Sequence, residues 1–283
     1  MSSYAKNREF HTDPVSVEVP ASSANLGPGF DTFGLALSIF DRGTAQVCAE
    51  GLTVLPRGEG ADQVPRDHRH LVVQAMRAAF DQMNVPMPGL VVGCEGRIPH
   101  ARGLGSSAAA IVMGIELARG LVVNGPQRLT DADALSLASR MEGHPDNASA
   151  AMLGGLTLAW MTGRHANVVR LELSGIQPVV FIPVEHSATS KARAALPPMV
   201  PHRDAAFNAT RSALLVLALT ERPDLLLEAT SDRLHQDYRA PDMPASAGLV
   251  TALRNRGVAA AISGAGSSVL ALIRHTGERE IAS

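Results

Sequence analysis

Pro99-His-Ala-Arg-Gly-Leu-Gly-Ser-Ser-Ala-Ala109 stands between a short apolar strand pattern, Leu90 to Cys94, and a long alanine-rich stretch. Gly103 and Gly105 free the backbone to approach a ligand closely. Ser106 to Val123 carries many alanines and few β-branched residues early on, so it reads as a long helix. The first amides of such a helix have no internal partners, and its dipole is positive there. That end binds phosphate well. The two serine hydroxyls add donors, and one of them can also reach Mg2+. Three readings stay open from this stretch alone: an anion-binding loop, a tight turn before a core helix, and a dinucleotide-binding loop. The last expects an acidic residue about 20 positions on, and none stands there. A Walker A loop is excluded, because no lysine follows the glycines.

Upstream, Val15 to Pro20 alternates apolar and polar residues as a strand does. Leu35 to Phe40 and Gly43 to Ala49 read as a strand pair across an Asp41-Arg42-Gly43 turn. Arg57 to Arg69 reads as an exposed excursion, and His70 to Asn84 as a helix. Downstream, Asp131 to Glu142 is expected to be a helix capped by Thr130, and Leu156 to Trp160 a strand. Val168 to Leu173 and Val179 to Pro183 are further strands, followed by helices at Arg203 to Thr220, Asp224 to Ser231 and Ala245 to Arg256. Val258 to Ser263 and Ser268 to Ile273 bracket a glycine-rich turn as strands. Residues 1–14 read as a loose lead-in. Strands and helices intermingle without a regular βαβ rhythm, which predicts an α+β fold.

The chain has 283 residues, 46% hydrophobic and 18% charged, enough to bury a core without metal or disulfide staples. The net charge of −2 shows no basic bias toward nucleic acid. Cys48 and Cys94 stand far apart and read as free thiols. The first residues hold no apolar signal-peptide core, and no apolar run reaches the ~18 residues of a membrane helix. A cytoplasmic protein with no membrane partner is the expectation.

Two companion segments add chemistry. Pro20-Ala-Ser-Ser-Ala-Asn-Leu-Gly-Pro-Gly-Phe-Asp31 follows the first strand, and its rigid Gly-Pro-Gly turn holds Asn25 and Asp31 at a fixed separation. Such an amide and carboxylate suit a hydroxyl and an ammonium. Ser263-Gly-Ala-Gly-Ser-Ser268 links the last two strands, either as a plain hairpin or as a second loop beside a phosphate.

In this order the three segments resemble the GHMP kinase superfamily, over residues 20–268. Within it the chain is most similar to the homoserine kinase family. Ser-Ala-Asn-Leu-Gly-Pro-Gly-Phe-Asp at 23–31, Glu142-Gly-His-Pro-Asp-Asn147, Ala188-Thr-Ser-Lys-Ala-Arg-Ala-Ala-Leu-Pro197 and Leu234-His-Gln-Asp-Tyr-Arg239 carry that likeness. The resemblance implies a ribosomal S5 domain 2-like N-terminal domain at 1–165, which binds ATP, and a ferredoxin-like C-terminal domain at 166–283. It implies ATP-dependent phosphorylation of a hydroxylated amino acid, homoserine first. Threonine or another such acceptor, or a silent metabolite-binding regulator, are the alternatives. Dimerisation is a family-level expectation.

The resemblance also distributes roles. Pro99, Arg102, Gly103, Leu104, Gly105, Ser106, Ser107, Ala108 and Ala109 are expected to wrap the ATP phosphates, with Ser107 and Glu142 on Mg2+. Arg193 and Arg239 are expected to clamp the acceptor carboxylate, since a guanidinium binds a carboxylate bidentately. Asp31 suits its ammonium, His144 and Thr189 further contacts to substrate, and Gly264 closes over the site. Asp146, Asn147 and Asn25 are expected to position the attacking hydroxyl, with no dedicated base, because phosphoryl transfer rests on positioning and charge. Two departures from the family pattern stand out. Ser267 replaces a proline in the third segment, and His70 stands where an asparagine is usual before Leu71-Val72.

Overall fold

The computed structural model describes residues 9–184 and 189–282, without the side chains of Thr189, Ser190 and Thr276. The first part of the chain runs β1 (Val15–Ala24), β2 (Phe33–Cys48), β3 (Leu52–Gly58), α1 (Leu71–Gln82), β4 (Gly89–Gly96), α2 (Ser106–Leu121), α3 (Gly125–Arg128), α4 (Asp131–Glu142), α5 (Asp146–Leu153), β5 (Leu156–Thr162) and β6 (His165–Leu171). Its strands make a six-stranded sheet in the order β3-β4-β2-β5-β6, with β1 paired to β2. The second part runs β7 (Gln177–Phe181), α6 (Thr189–Ala194), α7 (His202–Thr220), α8 (Leu226–Ala229), α9 (Gln236–Arg239), α10 (Pro244–Asn255), β8 (Ala259–Ile262), β9 (Val269–Ile273) and α11 (Thr276–Ile281). Its strands form an antiparallel sheet in the order β7-β9-β8. The α+β expectation is met. No helix among the described residues is long and apolar enough to cross a membrane.

Local signals explain most elements. The Thr130 hydroxyl accepts from the Asp133 amide, as its N-cap position predicts, and α4 stops at Gly143 in the left-handed region. His70 caps α1 in the same way through Nδ1, and the helix buries Val72, Val73, Met76, Ala79 and Phe80. α2 is buried nearly all round and forms the axis of the first core, against which Phe80, Leu90 and Leu135 also close. A second core joins the two sheets, with Leu26, Phe33, Leu35 and Leu156 packed on Leu215, Leu219, Leu226 and Leu270. A third lies behind β7-β9-β8, where Val258, Ile262, Val269 and Ile273 meet Leu253 of α10.

Four expectations need correction. The Asp41-Arg42-Gly43 turn does not exist, because β2 is one strand of 16 residues that pairs with β1, β4 and β5. Asp41 serves a different purpose there, its carboxylate accepting from the amides of Arg97 (2.6 Å) and Ile98 (2.9 Å) just ahead of the phosphate loop. Gly43 is needed for packing, since a Cβ there would stand 2.6 Å from the Met113 side chain of α2. The excursion expected from Arg57 opens on the end of the edge strand β3, which tolerates Pro56 because an edge need not donate on its outer side. α5 was not expected either, and its short sequence buries residues on every side, leaving no periodicity to read. Finally, the lead-in is docked from residue 9 onward, with Phe10 edge-on to Phe80 and bridged to Val122.

β6 belongs to the larger sheet through its full pairing with β5, so a division at 165/166 would pass through that pairing. Cys48 and Cys94 are free and half-buried, and burial pushes the Cys94 thiol up to about 12, out of reach of thiolate chemistry.

Asp41→Ala should leave two amides without their acceptor and lower stability by about 1–3 kcal/mol. Urea unfolding followed by circular dichroism measures this, and an unchanged midpoint would refute the buttressing role.

Candidate active site

Gly105 caps α2 in the left-handed region with no side-chain cap, which leaves the first helix amides open. A Cβ on Gly105 would lie 2.2 Å from Ser22 Oγ and 2.8 Å from Asn147 Oδ1, and one on Gly103 would lie 2.1 Å from the Ser263 carbonyl. These glycines are therefore demanded by backbone conformation and by crowding together. The crowding is productive, because it brings all three glycine-containing segments into contact. Ser22 N donates to Leu104 O (3.0 Å), Ser268 N to Arg102 O (3.1 Å) and Gly264 N to Ala24 O (3.1 Å). Ser263 Oγ is within 2.6 Å of Gly103 O, and Asn25 Nδ2 donates to Gly264 O at 3.0 Å.

A cleft of about 240 Å³ opens where they meet, lined by Gly103 to Ser107, Asn25, Phe30, Asp31, Glu142, His144, Asp146, Asn147, Arg193, Arg239 and Gly264. At its phosphate-loop end the Ser107 hydroxyl donates to Glu142 Oε1 at 2.6 Å. That oxygen pair fits a hard divalent cation. In the middle, Asp146 Oδ1 lies 2.5 Å from His144 Nδ1 and accepts from the Asn147 amide at 2.7 Å. Burial pulls the His144 imidazole down, but the Asp146 hydrogen bond and charge, with Asp31 and Glu142 nearby, hold its pKa above the ordinary value. Asp31, His144 and Asp146 also bring ligand atoms within 4.8 Å of one another. In that trio His144 Nδ1 and Asp146 Oδ1 are already engaged with each other, whereas Ser107 and Glu142 offer an all-oxygen pair beside the loop.

At the far end, Arg193 grips Asp31 bidentately, at 2.7 and 3.2 Å. Arg239 is 2% exposed and donates from Nε to Ala192 O and from Nη1 to Gly264 O. Both guanidiniums lie 5.5 Å from the Phe30 ring centroid. Burial and the charge of Arg193 lower the Arg239 pKa. Arg193 has the Asp31 carboxylate, whereas Arg239 bonds carbonyls and an imidazole and pairs with no carboxylate among the described residues, which suits it to an anionic group.

Beyond Ser106 and Ser107 lies a second cleft of about 320 Å³, walled by Pro56, Val64, Pro65, Leu71, Ala110 and Met113 with His70 and His100. The two clefts share those serines. An elongated ligand with an apolar ring at one end and anionic groups at the other would span the start of α2.

The pattern described as the GHMP kinases N terminal domain matches residues 70–155, and that described as GHMP kinases C terminal matches residues 214–283. A homoserine kinase of Streptomyces coelicolor is 54% identical over 264 residues, covering 93% of this chain and 85% of that protein. The chain belongs to the GHMP kinase family. Among solved structures, a homoserine kinase from Cytophaga hutchinsonii superposes with a TM-score of 0.82 at 23% identity, covering 95% of this chain and 88% of that one, a likeness of fold. A putative homoserine kinase from Listeria monocytogenes gives 0.74 at 28% identity, covering 92% and 86%.

Set in this GHMP kinase fold, most of the expected residues converge, and some do not. Ala108 and Ala109 are fully buried in the core behind the phosphate loop. Pro99 lines neither cleft. Arg102 lines neither cleft, its Nη2 on the Val184 carbonyl at 3.0 Å and its Nη1 3.7 Å from Glu59 at the rim of the second. A helix turns successive side chains by about 100°, so Ser106 and Ser107 face the clefts, Ala108 and Ala109 turn inward, and Ala110 and Met113 return to the wall of the second cleft. Thr189 opens α6, but its side chain lies outside the described residues. Asp31 and Arg193, expected on the ammonium and the carboxylate of an acceptor, are paired with each other. Sequence reasoning missed Ser22, which donates to Asn147 Oδ1 at 2.9 Å, and Ser263. Both stand inside the quoted motifs, where their position was the available signal.

Gly105→Ala should displace the phosphate loop and lower kcat/KM for the nucleotide by about 10²-fold or more, as small misplacements at a reacting centre do. Steady-state kinetics at varied nucleotide concentration would show it, and a wild-type value would contradict the crowding at Ser22 and Asn147.

Proposed function

We propose that the chain transfers the γ-phosphoryl group of ATP to the side-chain hydroxyl of L-homoserine, giving O-phospho-L-homoserine, as in threonine biosynthesis. The observation that carries this reading is the cleft with its excess guanidinium at one end and open helix amides at the other. The homoserine kinase relatives at about half identity support it. In this reading the adenine occupies the apolar cleft walled by Pro56, Val64 and Met113. The phosphates cross the amides of Gly103 to Ser107. Ser107 and Glu142 would hold Mg2+, which when bound offsets charge on the phosphate oxygens.

The acceptor carboxylate lies against Arg239 and Arg193, and its ammonium faces Asp31. Opening the Asp31–Arg193 pair costs little, since both groups are about one-third exposed or more and such pairs are weak. The zwitterion then gives each partner a new counter-charge. Its hydroxyl reaches Asn147 and Asn25, with Asp146 fixing the Asn147 backbone and the His144 ring. His144 lines the cleft with Nδ1 tied to Asp146, and in this reading it positions the substrate instead of accepting the hydroxyl proton. The transition state is loose, so alignment of the hydroxyl with the γ-phosphorus matters more than a strong base. Gly264, held by Asn25 and Arg239, closes the site from the second half of the chain. We place the boundary between the two halves in the link from β6 to β7.

An ADP-release assay over homoserine, threonine, mevalonate and galactose tests the acceptor. The highest kcat/KM is expected for homoserine, and turnover of mevalonate or galactose alone would overturn the reading. ATP binding without any turnover would instead indicate a metabolite-binding regulator. Arg239→Ala should raise the acceptor KM by about 10²-fold, the scale of losing one partner of a buried charged contact, with ATP affinity unchanged. Equal loss of both affinities would assign Arg239 a structural role.

A further inference from the structure

The segment from Asp232 to Arg239 holds a buried imidazole to which the kinase reading gives no task. His235 is fully buried, and each ring nitrogen meets a partner that dictates its protonation. Nε2 lies 2.7 Å from the Gly27 carbonyl oxygen, which can only accept. Nδ1 lies 3.3 Å from Arg239 Nη1, which can only donate. The ring is therefore the neutral tautomer with its hydrogen on Nε2. A proton on Nδ1 would face a guanidinium N–H directly.

The surroundings hold that state. Burial lowers the imidazole pKa, against the opposing charge of Asp232. The Asp232 carboxylate is already occupied, accepting from the amides of Leu234, His235 and Gln236 and from the Asn208 side chain. It thereby builds the turn that presents His235. Nε2 stays 3.6 Å from Asp232 Oδ2, so its hydrogen goes to Gly27. The imidazole also stacks on Phe30, centroids 5.3 Å apart. One ring thus touches the Gly-Pro-Gly turn, the aromatic floor of the acceptor cleft and the guanidinium beside it.

We propose that His235 is a positioning residue for acceptor recognition, aiming Arg239 at the acceptor carboxylate and locking the Gly27–Phe30 turn to it without touching substrate. Arg239 spends Nε on Ala192 O and Nη1 on Gly264 O and His235, and Nη2 has no bond to a described residue. With Nδ1 as its third anchor, the guanidinium plane is fixed and Nη2 is left for a ligand oxygen. This inference rests on the amino-acid acceptor reading and adds to it the group that orients the clamp.

Three variants separate the contacts by geometry. His235→Asn places an amide oxygen near Nδ1 and keeps an acceptor for Arg239. His235→Gln places its amide near Nε2 and keeps only the bond to Gly27. His235→Leu keeps bulk alone. With homoserine as acceptor, the Gln and Leu variants should raise acceptor KM by about tenfold, the scale of one hydrogen bond to a charged group. Asn should raise it by no more than about threefold, with the KM for ATP unmoved in all three. In an Arg239→Ala background, His235→Gln should have no further effect on acceptor KM.

Equal rises for Asn and Gln, or a KM for ATP that climbs with that of the acceptor, would overturn the proposal. The Asn variant, the least disruptive, keeps the test open if the others fail to fold, because a tenfold rise in folded Asn protein also refutes it. Wild-type protein is assayed alongside. No homoserine turnover by wild type would overturn the acceptor reading and this proposal with it, whereas wild-type turnover with an unmoved acceptor KM in the Gln variant would overturn this proposal alone.

Discussion

Three backbone hydrogen bonds between loops distant in sequence hold the site together: Ser22 to Leu104, Gly264 to Ala24, and Ser268 to Arg102. Each contributes about 1 kcal/mol net, so their strength is not the point. Their geometry is. The loops are tethered at one end to the larger sheet and at the other to β8 and β9. The second core, which packs Leu35 and Leu156 on Leu219 and Leu270, makes that approach rigid. The loop at 99–109, the cleft in front of it and the 263–268 loop are consequently one assembly.

Charge placement follows from this assembly. Glu142 is turned toward Ser107 and Asp146 toward His144, while Asp31 meets Arg193. Each anion near the cleft has a partner, and Arg239 is the cation whose contacts are with carbonyls and a neutral imidazole. The unbalanced charge sits at the end away from the helix N-terminus, which carries its own partial positive charge. A zwitterion with a hydroxyl between these two poles is oriented before any chemistry. The exposed Asp31–Arg193 pair keeps the cleft occupied by its own charges at small cost, and it can exchange partners readily.

Much of this was legible in the residues. The glycines and serines of 103–107 announced a tight loop into a helix with open first amides, because backbone freedom and helix starts are local properties, readable over a few positions. Thr130 announced α4 for the same reason. Less legible were elements whose form depends on neighbours. β2 carries Asp41 and Gly43, turn residues by composition, yet the chain continues straight because Asp41 serves the Arg97 and Ile98 amides and Gly43 makes room for Met113. α5 is buried on all sides, so no polar face marked it.

What the residues alone determined was the inventory: an α+β chain, a glycine-serine helix start, and arginines and carboxylates of the kind an amino acid needs. What only the tertiary structure decided was direction and partnership. It turned Ala108, Ala109 and Arg102 away from the cleft, paired Asp31 with Arg193, and set His235 against Gly27 and Arg239 from 208 positions and 4 positions away in the chain. Local pattern records backbone preference, but the aim of a side chain depends on which distant surfaces fold against it. The contacts that orient these groups therefore mostly join residues far apart in the chain and cannot be read from local pattern.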